Sequence, residues 1–386
     1  MNEKFYFDYA ATTPLDPDVF SAMEPYLKAD YGNPSSIHYF GQRAENAVEK
    51  SREIVADYLH CHPTELIFTS CGTESNNLAL RGTAMFRRSQ DGLTRLLSSK
   101  VEHHAITHTI QQLSDYYGFT ADWSSVDEFG VVNLNNFSKL LNEKTALVSF
   151  MLANNEIGSI NPIQTIAEIC LNKGVPFHTD AVQAAGYYPI NLADLPVSLL
   201  SLGSHKFYGP KGVGALFIRK GTMLLPTQTG GGQEFGLRAG TQNVAYIVGF
   251  AAAIEKLKKF RETRALELSI LRDELINRVL KTVPDSKLTG HPTNRLPNHA
   301  SFVFKNVDGN LLLGMLDQAG FACSSGSACK TGNPEPSDVL IEIGLPREWA
   351  LGSLRLTLGQ GTSQDAINKL LDKLPALIKL NRELKG

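Results

Sequence analysis

The sequence predicts an α/β protein with a mostly parallel sheet between helices, followed by a smaller α+β domain. Short β-rich runs alternate with amphipathic helical windows through the first part of the chain, and this alternation is typical of parallel sheets covered on both faces. The predicted strands are Glu65–Thr69, Arg95–Ser98, Phe119–Trp123, Ala146–Met151, Val175–His178, Leu199–Leu202 and Gly214–Ile218. The predicted helices include Ala44–Leu59, Ser75–Arg87, Ala105–Tyr117 and Ile163–Asn172. Because sites in such sheets lie at the carboxyl ends of strands, polar residues after each strand are the candidates for function.

The pattern changes near residue 255. Ala251–Val279 is predicted as one long helical region that is interrupted or kinked around Arg261–Arg264. The elements predicted after it are a strand at Ala300–Phe304, a helix at Asn310–Gln318, a strand at Ser353–Leu358 and a helical region at Ser363–Leu384. Pro375 should kink or break the last of these, because proline cannot donate a helical hydrogen bond. These elements predict the smaller α+β domain.

Composition excludes several function classes. The 386 residues include 37 Lys and Arg against 39 Asp and Glu, for a net charge of −2, which leaves no electrostatic footprint for direct nucleic-acid binding. The longest nearly apolar run, Ala245–Ile254, is far shorter than the roughly 20 residues that cross a bilayer. The N-terminus has no basic-then-apolar export pattern. We therefore expect a cytoplasmic protein that contacts neither membrane nor nucleic acid.

The five cysteines are predicted to be reduced thiols, since their number is odd and no export signal is seen. They are Cys61, Cys71, Cys170, Cys323 and Cys329. No two of them form a Cys-X-X-Cys pair, so we expect no metal site. The first three lie in or beside regular elements and are interpreted as packing residues. Cys329 follows small and turn-forming residues and precedes Lys330, which favours the thiolate, so it is the candidate reactive thiol.

Two segments after strands could hold a phosphate or a planar ring. Phe68–Asn77 runs from a strand into a Gly/Ser/Thr turn that opens a helix, and such a turn is either a phosphate cradle or an ordinary N-cap. In Lys100–His108, His104 and His108 are four residues apart, but no further metal ligand accompanies them. An imidazole at this helix start is instead placed to stack on a planar cofactor or to cap the helix.

Three ionisable residues at or within strands have both a structural and a chemical interpretation. Asp180 is either an N-cap or a carboxylate that keeps a buried heterocyclic nitrogen protonated. Lys206, between an apolar strand and a glycine-rich stretch, is either a surface lysine or a desolvated amine able to form a Schiff base. Arg355, inside an apolar strand, needs an anionic partner, which is an internal acid or a substrate carboxylate.

Further motifs occur in order along nearly the whole chain. They are Phe7–Thr13, Asn33–Ser36, Thr73–Asn76, Glu102–His103, Asn154–Gly158, His178–Gln183, His205–Gly212, Arg238–Thr241, Ser324–Cys329 and Arg355–Thr357. A Schiff-base lysine, a pyridinium-pairing aspartate and a phosphate-binding helix start are what pyridoxal phosphate requires of a protein. Together, these motifs resemble those of the cysteine desulfurases in the class-V aminotransferase family, of the NifS/IscS-like, long-loop type.

The resemblance implies a fold-type-I homodimer that binds pyridoxal 5'-phosphate between two domains. The large domain would comprise residues 14–257, and the small domain residues 1–13 together with 258–386. By the same resemblance, Lys206 would attach the cofactor covalently, Asp180 would bind its ring nitrogen, Gln183 its ring hydroxyl, and His103 would stack on the ring. The phosphate would be bound by Thr73, Ser204, His205 and the other subunit's Thr241. Asn155 and Arg355 would bind the substrate carboxylate, and Cys329 would accept the sulfur.

The implied reaction converts L-cysteine to L-alanine and leaves the sulfur as a persulfide on Cys329. The persulfide would then supply an acceptor protein, such as an iron–sulfur scaffold, or another thio-cofactor route. A lyase of the same fold that acts on cysteine, cystine or selenocysteine would need Lys206 but not Cys329. A non-catalytic binding protein that keeps only the dimer is the alternative from a different class.

The chain departs from the family pattern at three places. In the usual family pattern a serine stands two residues before the histidine of the His-Lys pair, with a small residue between them. Here Gly203 takes that place and Ser204 follows it, so the Ser204 hydroxyl could replace the usual phosphate-binding serine. Cys71 stands where the family usually has glycine, beside the predicted phosphate. Cys323 is an additional thiol near Cys329 that either resolves a persulfide or packs.

Overall fold

The structure, a computed structural model, describes residues 3–326 and 335–385. Its strands are β1 (Phe5–Tyr6), β2 (Leu66–Thr69), β3 (Arg95–Ser99), β4 (Thr120–Ser124), β5 (Thr145–Ser149), β6 (Phe177–Asp180), β7 (Leu199–Gly203), β8 (Gly214–Ile218), β9 (Ser286–Leu288), β10 (His299–Phe304), β11 (Phe321–Ala322) and β12 (Ser353–Thr357). Its α-helices are α1 (Pro17–Lys28), α2 (Tyr39–Leu59), α3 (Gly72–Asn77), α4 (Thr83–Asp91), α5 (His104–Tyr117), α6 (Leu134–Leu140), α7 (Ile163–Asn172), α8 (Val244–Thr282), α9 (Gly309–Gln318), α10 (Asp338–Glu342), α11 (Arg347–Ala350) and α12 (Gln364–Lys385). Within these ranges, no helix is both long and apolar enough to cross a membrane.

The large sheet has the strand order β2-β8-β7-β6-β5-β3-β4. Of these seven described strands, β8 alone runs opposite to the other six, so the predicted mostly parallel sheet is confirmed. Each of the seven strands lies within two residues of its predicted ends. The segments that follow β2, β3, β5, β6 and β7 therefore meet at one edge of the sheet.

Both faces of the large sheet are buried. Successive residues on a strand point to opposite faces, and here they belong to different hydrophobic clusters. Leu97, Val148 and Phe217 pack in the main core, whereas their strand neighbours Leu96, Leu147 and Leu216 pack in a second core. This arrangement is the one that a sheet covered by helices on both sides requires.

A smaller antiparallel sheet has the order β12-β10-β9. The N-terminal strand β1 pairs with β11 in parallel, with Phe5 opposite Phe321, and Asp8 forms an isolated bridge to Thr357. The N-terminus is thus joined to the C-terminal part of the chain. This pairing supports the proposal that residues 1–13 and 258–386 form one domain, with the proposed boundary at residue 257 falling inside α8.

Two expected helix interruptions are absent. Helix α8 runs for 39 residues through Arg261–Arg264 without a break, and both arginines pack on aromatic rings. The guanidinium carbon of Arg261 lies 5.8 Å from the centre of the Tyr58 ring, and that of Arg264 lies 4.9 Å from the Tyr208 ring. Helix α12 likewise continues through Pro375. Burial of its apolar face in the main core offsets the roughly 3 kcal/mol that a proline costs a helix interior.

A buried ion pair ties the loop before α8 to the large sheet. Arg52 Nη1 donates to Glu234 Oε2 at 2.8 Å and Nη2 donates to Oε1 at 3.1 Å, with both side chains almost inaccessible. The backbone N–H of Phe68, in β2, also donates to Glu234 Oε2 at 2.8 Å. Glu234 therefore connects α2, β2 and the loop that carries Arg238 and Thr241.

We expect Glu234→Ala to lower the free energy of unfolding by about 3–5 kcal/mol, because it removes the buried anion of the Arg52 cation and leaves it the half-exposed Glu49. Urea denaturation followed by circular dichroism measures this loss. The matched control is Glu49→Ala, which removes a half-exposed carboxylate from the same arginine and should cost at most about 1 kcal/mol. Equal losses in the two variants would contradict the prediction.

Candidate active site

A cavity of about 260 Å³ lies at the carboxyl edge of the large sheet. Eight of the residues predicted to form the site line it: Thr73, His103, Asn155, Asp180, Gln183, His205, Lys206 and Arg355. Its lining also includes Ala10, Ala11, Cys71, Gly72, Asn76, Met151, Ala153 and Val182. Seven of the eight predicted residues lie at or after the carboxyl ends of strands of the large sheet, which meet at one edge, and Arg355 comes from β12 of the small sheet.

Lys206 reaches the cavity from the short 3₁₀ turn that follows β7. Its Nζ donates to the carbonyl oxygens of Ala10 at 2.6 Å and Ala11 at 2.8 Å. Burial, and then the positive charge of Arg355, lower the pKa of Lys206 from 10.5 to about 8. More of this amine is therefore neutral at pH 7 than for an ordinary lysine.

Asp180 is the last residue of β6 and is only 7% exposed. Its Oδ2 accepts from Asn76 Nδ2 at 2.7 Å, and its Oδ1 accepts from the backbone N–H of Val182 at 2.9 Å. Two donors thus fix the carboxylate at the cavity wall. Sequence reasoning gave no role to Asn76, although it lies in the motif Thr73–Asn76, three residues after Thr73 on the same face of a helix.

His103 is the N-cap of α5, where its Nδ1 accepts from the backbone N–H of Ala105 at 3.0 Å. The ring is accessible from the cavity, yet the surrounding protein buries enough of it to lower its pKa, and the charge of Lys206 lowers the pKa further. Because Nδ1 accepts the capping bond, the neutral form of this ring carries its proton on Nε2.

The neighbouring His104 and His108 rings stack with their centres 4.5 Å apart. In the described part of the chain, no group of three or more His, Cys, Asp or Glu side chains is placed to hold a metal.

Arg355 lies in β12 and is 7% exposed. The sequence left open whether its partner is an internal acid or a substrate, and the structure supplies an internal acid. Arg355 Nη2 donates to Asp8 Oδ1 at 2.9 Å, and Nη1 donates to the carbonyl oxygen of Asn155 at 2.9 Å. Its Nε is buried and has no hydrogen-bond partner among the described residues. Asp8 was not selected from the sequence, although it lies in the motif Phe7–Thr13.

Two of the predicted site residues that the structure describes, Ser204 and Thr241, do not line the cavity. Ser204 is fully buried, and its Oγ lies so close to Gly209 that a Cβ on that glycine would come within 1.8 Å of it. The Ser204 hydroxyl therefore gives no support to the predicted phosphate contact. Thr241 is exposed on the loop before α8, away from the cavity of its own chain. Cys329 lies outside the described residues.

The other four thiols divide into two kinds. Burial raises the pKa of Cys61 and of Cys170 to about 12, and both pack against the main core as predicted. Cys323 also packs against this core, and burial raises its pKa well above the usual range, which favours packing over a thiolate role. For Cys71 the packing interpretation is wrong. Its Sγ caps α3 by accepting from the Glu74 N–H at 3.4 Å, and the residue lines the cavity.

Comparison with known proteins agrees with this architecture. The sequence model of the class-V aminotransferases matches residues 5–370. The chain belongs to the class-V aminotransferase family. The cysteine desulfurase IscS of Dictyoglomus turgidum is 46% identical over 387 residues, covering 100% of this chain and 97% of that protein. The cysteine desulfurase NifS of Azotobacter vinelandii is 39% identical, covering 97% of this chain and 92% of that protein.

Solved structures of family members share the fold. A NifS-like protein superposes with a TM-score of 0.91 at 36% identity, covering 98% of this chain and 100% of that one. SspA in complex with cysteine superposes with a TM-score of 0.81 at 33% identity, covering 92% of this chain and 98% of that one. The predicted family and the fold-type-I architecture are therefore confirmed.

Proposed function

We propose that this protein is a pyridoxal-phosphate-dependent cysteine desulfurase, which converts L-cysteine to L-alanine and keeps the sulfur as a persulfide on one of its own cysteines. The observation that carries the proposal is the convergence of Lys206, Asp180 and Arg355 on one cavity, in a chain whose relatives above bear the name cysteine desulfurase. The lyase alternative finds no support in those names. The non-catalytic alternative does not explain a buried amine with a lowered pKa in a cavity.

The cavity residues fit pyridoxal phosphate in their charge and chemistry. Lys206 offers a partly neutral amine for covalent attachment, and Asp180, held by Asn76, offers a fixed carboxylate for the ring nitrogen. The Oδ1 of Asn76 is buried without a partner among the described residues, so this corner of the cavity still has an unused acceptor. When bound, the cofactor would supply the electron sink for the negative charge that develops on the substrate Cα.

The phosphate of the cofactor would lie near the start of α3. Thr73 lines the cavity there, and backbone N–H groups at a helix start favour an anion. His205 lines the same cavity, and burial lowers its pKa to about 4, so it would contact the phosphate as a neutral ring. Gln183, whose Nε2 donates to the Ala10 carbonyl at 2.8 Å, would bind the ring hydroxyl, and His103 would stack on the ring.

The chain's own groups would orient the substrate and move its proton. Arg355 and Asn155 would bind the carboxylate of L-cysteine, which fixes the direction of the Cα–H bond. The Lys206 amine, once free, would accept the Cα proton at its Nζ, since a pKa of about 8 suits a base at neutral pH.

Sulfur transfer would then use Cys329. Its thiolate would attack the substrate sulfur, so that a sulfur–sulfur bond forms while the carbon–sulfur bond breaks. The electron pair of the broken bond would stay on the substrate carbon, which takes up a proton to give alanine. We further propose that the persulfide supplies an acceptor protein, such as an iron–sulfur scaffold or another thio-cofactor carrier, in the cytoplasm.

A homodimer belongs to the same proposal. The segment around α2 exposes large apolar side chains: Tyr31 is 73%, Ile37 92%, Tyr39 63% and Phe40 47% exposed. Clustered apolar surface of this kind favours contact with a second copy. Thr241, exposed and away from its own cavity, would then reach the phosphate in the partner's site.

We expect Cys329→Ala to retain the bound cofactor but to lose at least about a hundredfold in sulfide release from L-cysteine under reducing conditions, because no thiolate then attacks the substrate sulfur. The methylene blue assay measures sulfide, and mass spectrometry of the Cys329 peptide after cysteine treatment should show one extra sulfur in the wild type.

The control is Cys61→Ala, which removes a half-buried thiol from the main core and should release sulfide at the wild-type rate. Full sulfide release by Cys329→Ala would favour the lyase and overturn the desulfurase proposal.

A further inference from the structure

Arg355 is already paired with an acid of its own chain at the place where the proposed function needs it for a substrate carboxylate. Its Nη2 donates to Asp8 Oδ1 at 2.9 Å. The Arg355 side chain is 8% exposed and that of Asp8 is 19% exposed, so water screens this pair much less than a surface pair. A carboxylate that enters the cavity must therefore share the guanidinium with Asp8 or displace it.

The orientation of Arg355 does not depend on Asp8 alone. Its Nη1 donates to the carbonyl oxygen of Asn155 at 2.9 Å, and its backbone N–H donates to Ser324 O at 2.7 Å. The Arg355 Nε is buried without a partner among the described residues, which leaves a donor for an arriving anion. Removal of the Asp8 charge would thus free binding capacity without releasing the guanidinium.

The position of Asp8 is set by its pairing with the small sheet. Asp8 forms a parallel bridge with Thr357, and the Thr357 N–H donates to the Phe7 carbonyl at 2.8 Å. The negative charge of Asp8 also raises the pKa of Lys206, which opposes the effects of burial and of Arg355. The Asp8 carboxylate therefore acts on both cationic groups of the cavity.

We propose that Asp8 is a positioning residue that competes with the substrate carboxylate for Arg355 and so weakens carboxylate binding. This inference rests on the proposed function, in which Arg355 receives the carboxylate of L-cysteine. The carboxylate is unchanged by the reaction, so its contact with Arg355 binds substrate, transition state and product equally. A weaker contact raises the KM for L-cysteine and speeds the release of alanine. The Asp8 charge would also repel an amino acid that carries a second carboxylate on its side chain.

The test uses two cysteine analogues, each of which lacks one of the two charged groups of cysteine. 3-Mercaptopropionate has the carboxylate and the thiol of cysteine but no amine, and cysteamine has the amine and the thiol but no carboxylate. For Asp8→Asn, we expect the Kd of 3-mercaptopropionate, measured by calorimetry on the holoenzyme, to fall about three- to tenfold, the range for loss of one partly buried competing charge. The Kd of cysteamine should not fall, and the KM for L-cysteine should decrease.

Asp8→Glu is the matched control, because it keeps a competing carboxylate and should bind 3-mercaptopropionate within about twofold of the wild type. If Asp8→Asn does not fold, as judged by its thermal melt, Asp8→Ser removes the same charge and takes its place. An unchanged or higher Kd for 3-mercaptopropionate in the uncharged variant, or no binding by the wild type, overturns the inference. Because neither probe needs turnover, the Kd ratio tests Asp8 even if the wild type releases no sulfide, which would instead refute the proposed function.

Discussion

Lys206→Ala is expected to abolish turnover of L-cysteine, with a loss of at least about 10³-fold in kcat. In the proposed function, Lys206 is both the point of covalent attachment for the cofactor and the base at the substrate Cα, and a positioned base alone contributes about 10²–10⁴-fold. Sulfide release measures the turnover. Borohydride reduction followed by peptide mass spectrometry should find a pyridoxyl group on Lys206 in the wild type and on no residue in the variant.

The control for this experiment is Lys220→Ala, which removes an exposed lysine from the turn after β8 and should leave turnover unchanged. Lys206 also has a pH signature in the cofactor-free protein. Because its pKa is lowered to about 8, covalent attachment of the cofactor should speed up as the pH rises to about 8 and then level off. A rate that keeps rising toward pH 10.5, the pKa of an ordinary lysine, would contradict the assigned role.

Asp180→Asn is expected to lower kcat by about 10²–10³-fold, the range for loss of one oriented electrostatic contact to developing charge. The wild-type carboxylate accepts from Asn76 Nδ2 and from the Val182 N–H. An asparagine side chain has one acceptor oxygen and one NH₂ donor. Its NH₂ group would therefore face either one of these two donors or the proposed position of the ring nitrogen. The variant should therefore lose both the negative charge and the fixed geometry, and steady-state kinetics together with the Kd of pyridoxal phosphate measure the two losses.

Asp194→Asn serves as the control for Asp180, because Asp194 is an exposed aspartate on the loop before β7. Its kcat and its Kd for pyridoxal phosphate should equal those of the wild type. A kcat for Asp180→Asn within about threefold of the wild-type value would show that this carboxylate does not hold the ring nitrogen.

Much of the site followed from local sequence patterns. Lys206, Asp180 and Thr73 each lie at or just after a predicted strand, and they meet because the strands run parallel and end at one edge. Ser204, two positions from Lys206, does not line the cavity, and its phosphate contact stays a prediction. Whether a side chain in a turn faces the cavity or the core depends on the backbone of that turn, and the residue type alone carries no sign of it.

The helices show a similar limit. Pro375 and the charged stretch Arg261–Arg264 are local signals for interruption, yet α12 and α8 continue through them. A poor helix former costs the helix at most a few kcal/mol at such a position. Burial of an apolar face or stacking on aromatic rings stabilises the helix by a similar amount, so the helix continues. The partner surfaces that supply this energy come from other parts of the chain.

The amino-acid sequence alone was enough for the alternation of strands and helices, which depends on short patterns. The ordered motifs and the resemblance that they carry were enough for the family and for the eight side chains that line the cavity. Tertiary structure alone decided the pairing of Asp8 with Arg355 and the support of Asp180 by Asn76. Asp8 and Arg355 are 347 positions apart and meet only when the N-terminal segment pairs with β12. Such contacts also set the pKa of Lys206, since burial and neighbouring charges exist only once the chain has folded.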